Sequence, residues 1–122
     1  MKLSAKRTIG IAMVLCLLPI VTIVALAKDA DVSKGKEVYE GTCIACHGEN
    51  GKGEIPGTPN FTKKDGVLMK TDEELIAHIT DGYESPSSDM PMPAKGGNED
   101  LTDDDIEAVL SYMRLEFGTP KK

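Results

Sequence analysis

The chain has 122 residues, 28% of them charged, and only five aromatic side chains, none of them Trp. Residues 28–122 carry all twenty carboxylates and eleven of the fourteen Lys and Arg side chains, a net −9. So acidic a body excludes nucleic acid and anionic membrane surfaces as partners, and so short a one holds a single core rather than two.

Residues 1–27 read as a targeting segment. Lys2, Lys6 and Arg7 precede an apolar run from Ile9 to Ala27 that ends Ala25-Leu26-Ala27, and Asp29 and Asp31 follow it. Basic residues before the run and acidic ones after it send the remainder across a membrane. The run approaches the ~20 residues that span a bilayer. Two outcomes stay open: removal as a signal peptide, or retention of residues 8–27 as an anchor. Cys16 sits inside the apolar run. The expected product is an exported, periplasmic domain at 28–122, soluble or tethered, touching a membrane only through this segment.

A first helix is predicted from Val32 to Thr42, with Gly35, Val38, Tyr39 and Thr42 on one side. Residues 43–47 read Cys-Ile-Ala-Cys-His. Two thiols three positions apart on a helical turn can each add to a vinyl group of haem, and the imidazole that follows lies beneath the iron. The spacing is that of c-type haem attachment. Zinc needs about four ligands, whereas outside the leader only Cys43, Cys46, His47 and His78 are available. A thioredoxin-like pair would adjoin a βαβ pattern, which is missing here. Two thiols bonded to a porphyrin would tie a marginally sized chain to an apolar nucleus, and the polypeptide without haem is expected to be largely unfolded.

The segment from Gly48 to Lys70 is rich in Gly and Pro and reads as a loop wrapped on something. Thr71-Asp72-Glu73-Glu74 predicts a capping box, with Thr71 as cap and Glu74 reaching back. The helix it opens carries Leu75, Ile76 and Ile79, and Gly82 stops it. On that helix His78 lies between Glu74 and Asp81, as a solvent-facing imidazole would. Met90 and Met92 each precede a proline, which holds both in extended backbone. Either thioether could complete the iron's coordination, and Met92 is the better placed in its Met-Pro-Ala-Lys-Gly-Gly context. Ligation by His78 instead would give a bis-imidazole centre. Met69 and Met113 are expected to fill the core. The last helix is capped by Thr102 and complemented by Asp103 to Asp105 at its positive end. It repeats Ile106, Val109, Leu110, Met113 and Phe117 at helical spacing and ends before Gly118 and Pro120.

In this order the motifs resemble the small bacterial monohaem class I cytochromes c. Gly35-Lys36-Glu37-Val38-Tyr39 is similar to that family's first helix, whose glycine admits the last helix and whose aromatic packs at the crossing. Pro59-Asn60-Phe61 is similar to the loop whose proline carbonyl accepts a hydrogen bond from the proximal histidine, so Pro59 is implied as the partner of His47. Met92 to Gly97 and Leu101-Thr102-Asp103 resemble the axial-methionine loop entering the final helix. The resemblance implies an all-α fold with first and last helices crossed around one covalent haem c. Cys43 and Cys46 would bind its edge; His47 and Met92, or alternatively Met90, would bind its iron. Lacking Trp, the chain would need Tyr83, Asn60 or Lys95 for any propionate contact a Trp makes in relatives.

With both axial positions filled by protein, the implied work is outer-sphere transfer of single electrons rather than enzymatic turnover. Partners would be redox proteins met through a small transient interface. Acidity favours a basic docking face on them, or else serves only solubility. Two other readings stand beside the carrier: an electron-transfer subunit of a larger oxidoreductase, and a gas-binding haem sensor with a labile sixth position.

Overall fold

In the computed structural model, which describes residues 31–86 and 88–118, residues 31–38 form α1. This helix passes directly through a π-helical turn, Tyr39–Cys43, into α2, Ile44–His47. The other long helices are α3, Asp72–Asp81, and α4, Asp103–Glu116. Short 3₁₀ turns occupy Val67–Met69 and Ala94–Gly97. Among the described residues the only β feature is one antiparallel bridge between Tyr83 and Met92, so the fold is all-α as expected. Residues 1–27 and Pro120 lie outside the described residues. Among those described, no helix is long and apolar enough to cross a membrane.

The π turn decides what α1 and α2 present. Ile44 N–H bonds to the Tyr39 carbonyl, so one extra residue enters the turn. In an unbroken α-helix Tyr39 and Cys43 would share a face. One residue more rotates the following turn by ~100°. Tyr39 therefore enters the core, 1% exposed, while Cys43 faces a cavity.

Where α1 crosses α4 the backbones nearly touch. A Cβ at Gly35 would collide with the Ala108 carbonyl and lie 2.8 Å from Tyr112 Cβ. Beside this crossing the Tyr39 ring packs 5.6 Å from that of Tyr112 and 5.2 Å from that of Phe117. Its hydroxyl donates to the Gly48 carbonyl at 2.8 Å, which satisfies a polar atom that burial would otherwise strand.

All five apolar residues expected on the α4 stripe are buried, against Leu75 and Ile79 of α3 and Phe61 and Leu68 of the loop. Each contributes roughly 1.5–3 kcal/mol by leaving water, more than the ~1 kcal/mol of a helix cap. Packing holds α4, and capping sets where it starts. Met113 is in the core as expected. Met69 is not: at 55% exposed it stands at the surface, because the 3₁₀ turn directs Leu68 inward in its place.

The caps differ from the sequence expectation. Thr71 Oγ1 does accept from Glu74 N–H at 3.3 Å, but the Glu74 carboxylate pairs with Lys70 Nζ and makes no return bond to the cap. The full capping box forms at α4 instead. There Asp105 Oδ2 accepts from Thr102 N–H at 2.8 Å and from Thr102 Oγ1 at 2.6 Å.

Candidate haem site

The glycine-rich loop that follows α2 folds back onto it. Gly53 N–H donates to the His47 carbonyl and Glu54 N–H to the Cys46 carbonyl, both at 2.9 Å. Two carbonyls that a helix end leaves unpaired are thereby satisfied, and the loop is fixed over the attachment motif. Gly48 (φ 80°) and Gly53 (φ 86°) make the reversals in backbone that side chains avoid. The surface this loop covers is the wall of a cavity of about 300 Å³.

Cys43, Cys46 and His47, at positions i, i+3 and i+4, all line that cavity. Both thiols are unpaired. Burial, with the adjacent Cys46, pushes the Cys43 thiol up to about 11, so it stays protonated. His47 is buried and stacked on Phe61 with ring centroids 4.7 Å apart. Burial pushes its imidazole down to about 4, which keeps it neutral with a nitrogen lone pair to donate. Its Nδ1 is buried and makes no hydrogen bond. Pro59 lines the same cavity, yet its carbonyl is not bonded to that nitrogen.

From the other side of the sequence, Tyr83, Met90, Met92 and Lys95 reach the same cavity. Met92 is pinned by its backbone: its N–H donates to the Tyr83 carbonyl at 2.9 Å, and its carbonyl accepts from Tyr83 N–H at 3.0 Å. Its side chain packs against the core. Met90 is 58% exposed. The Met90 backbone is also bonded, but only locally, its N–H donating to Ser88 Oγ at 3.3 Å and its carbonyl accepting from that hydroxyl at 2.9 Å. The two methionines differ in exposure and in the segment that holds them.

His78 departs from expectation. Rather than facing solvent, it borders the cavity and stacks on Tyr83 with centroids 4.1 Å apart. It does keep a carboxylate neighbour, Glu74, at 4.0 Å. Helical spacing alone missed this, because the ring that draws it inward comes from the loop after α3. Of the three residues offered in place of a Trp, Tyr83 and Lys95 border the cavity and Asn60 does not. Asn60 Oδ1 is instead engaged by Thr62, at 2.9 Å from its N–H and 2.8 Å from its hydroxyl.

The donor set fits a haem. Among the described residues no three His, Cys, Asp or Glu side chains gather as they would for a bare metal ion. A macrocycle that brings its own equatorial nitrogens needs only axial donors, an apolar wall and thiols at its rim. Among the described residues no carboxylate lines the cavity; Lys70 and Lys95 do.

Residues 30–113 match the family described as cytochrome c oxidase, cbb3-type, subunit III. Cytochrome c-555 of Prosthecochloris aestuarii is 36% identical over 85 residues, 68% of this chain and 85% of that protein. Cytochrome c6 of Gracilaria tenuistipitata var. liui is 34% identical over 90 residues, 74% of this chain and 77% of its own length. The cbb3-type cytochrome c oxidase subunit FixP of Bradyrhizobium diazoefficiens is 38% identical over 92 residues, 75% of this chain but only 29% of the subunit. Attachment motif, helix crossing and these likenesses agree: the chain belongs to the small monohaem class I cytochromes c, electron-transfer proteins with covalent haem c.

Proposed function

We propose that the domain carries single electrons between exported redox proteins, with its haem iron held by His47 and Met92. The observation that carries this reading is one apolar cavity bordered by both thiols, a neutral buried imidazole and a backbone-pinned thioether. Bound there, haem supplies an Fe(III)/Fe(II) couple, and a thioether with an apolar surround raises its potential. The protein's part is to hold both axial donors still, so that little rearranges when an electron arrives. Cys43 and Cys46 would hold the haem's rim, each thiol adding across a vinyl group so that sulfur takes one carbon and the proton the other. Pro59, which lines the same cavity, would orient His47 by accepting a hydrogen bond from its Nδ1. With His47 and Met92 both bound to the iron, no coordination position would stay open for a gas.

The net charge of −9 supports a basic docking face on the partner. The apolar run at 9–27 supports export, with the domain periplasmic and either freed or tethered. A mass spectrum of the native protein tests haem addition and leader removal together.

Axial ligation is tested by Met92→Ala in the haem-loaded protein. It should abolish the weak long-wavelength absorption of methionine-ligated ferric haem and lower the reduction potential, while Met90→Ala keeps both. Loss of the band in Met90→Ala but not in Met92→Ala would reverse the assignment.

A further inference from the structure

The turn that follows Met92 is held in an unfavourable shape. Lys95 (φ 52°, ψ 25°) and Gly96 (φ 64°, ψ 16°) are successive left-handed residues. A lysine adopts that conformation only when its surroundings impose it. Two attachments do so. Lys95 Nζ donates to the Leu101 carbonyl at 2.8 Å and to the Glu99 carbonyl at 3.3 Å, which closes the turn on itself. Asn98 Nδ2 donates to Thr42 Oγ1 at 3.2 Å, across 56 positions of sequence. The second bond ties the turn to the rest of the molecule.

Thr42 immediately precedes Cys43, and its methyl group also buttresses the turn: a Cβ at Gly96 would lie 3.0 Å from Thr42 Cγ2. The Asn98 amide is fixed in orientation, because its Oδ1 accepts from Asp100 N–H at 3.2 Å. Upstream, the Tyr83 bridge holds Met92 itself. The segment from Met92 to Asn98 is therefore secured at one end to the loop after α3 and at the other to the helix that carries the haem thiols.

We infer that the Thr42–Asn98 hydrogen bond is a positioning strap. It couples the loop that bears the axial thioether to the helix that bears the attachment cysteines, and so sets how often the sixth coordination position opens. The inference rests on Met92 as the axial ligand. An exogenous ligand can enter only in the fraction of molecules whose loop has swung away, so its apparent affinity reports that fraction. Losing one part-buried hydrogen bond raises the open fraction about two- to tenfold.

The test is imidazole binding to the ferric, haem-loaded protein, followed by absorption. Thr42→Val and Asn98→Ala should each lower the apparent Kd about two- to tenfold. Their combination should go no further than either alone, since one bond is lost in every case. Thr42→Ser keeps the hydroxyl and should bind as the wild type does. Met92→Ala in the same assay gives the fully open limit. If Met92→Ala binds no tighter than wild type, the axial assignment itself fails. If it binds far tighter while Thr42→Val and Asn98→Ala match wild type, or their effects simply add, the strap is refuted. Asn98→Ala lies outside the attachment motif, so its result stands even if Thr42→Val impairs haem attachment.

Discussion

Gly35 and Gly41 are six residues apart in the same N-terminal helical run, yet their surroundings differ completely. A Cβ at Gly35 meets the Ala108 carbonyl of α4, whereas at Gly41 nothing lies within 4 Å. Neither needs a positive φ, so packing alone separates them. Gly35→Ala should destabilise the haem-loaded protein by about 3 kcal/mol, the upper range for overpacking at a backbone contact. In a domain of this size that is a fall of roughly 10–20 °C in Tm. Gly41→Ala should leave Tm unchanged or raise it slightly, because alanine restricts the unfolded chain. Equal effects in the two variants, read by thermal melting, would mean that α1 and α4 do not approach as described. Helical spacing placed Gly35 on the side of the helix shared with Tyr39, and its part in a crossing was implied only by resemblance. Its neighbour across the crossing, Ala108, falls off the apolar stripe that periodicity singled out in α4.

At the scale of elements, two threonine caps that look alike in sequence behave differently, and the reason lies beside them. Lys70 directly precedes Thr71 and captures the Glu74 carboxylate, which leaves that box half made. At α4 the basic neighbour is Lys34 of α1, 3.0 Å from Asp105 Oδ1, and Oδ2 remains for Thr102. Bonds from the Thr102 hydroxyl and amide, then from Lys34, hold the Asp105 carboxyl down at about 2. A depressed carboxyl contributes stability that is present above its unfolded value near 3.8 and lost as pH falls through about 2. Asp105→Asn should therefore lower Tm at neutral pH and flatten the decline of Tm between pH 4 and 2; an undiminished acid decline would exclude Asp105 as its source. Helix existence and core faces were legible because local spacing dictates them. The cap partners, the inward turn of His78 toward Tyr83 and the exposure of Met69 were not. At α3 the box is lost to a competing local pair, Lys70 with Glu74. His78 turns to a ring supplied by the loop after its helix, and Met69 follows a 3₁₀ turn whose phase differs from that of a helix.

For the whole molecule the open question is which field a redox partner meets. The body carries −9, but among the described residues the cavity is bordered by Lys70 and Lys95 and by no carboxylate. Lys70 is paired with the Glu74 carboxylate, whereas Lys95 keeps its full charge, its ammonium turned to the carbonyls of Leu101 and Glu99. At 0.01 M salt the screening length is about 30 Å, comparable with the molecule, and the global charge governs encounter. At 0.15 M it is about 8 Å, and only groups near the rim count. Oxidation of the reduced protein by a cationic tris(phenanthroline)cobalt(III) complex should therefore slow severalfold between these two salt concentrations, whereas oxidation by anionic ferricyanide should accelerate. Stopped-flow rates at matched driving force make the comparison. The opposite pair of trends would show that the two lysines outweigh the twenty carboxylates even at long range, and the partner's docking face would then have to be acidic.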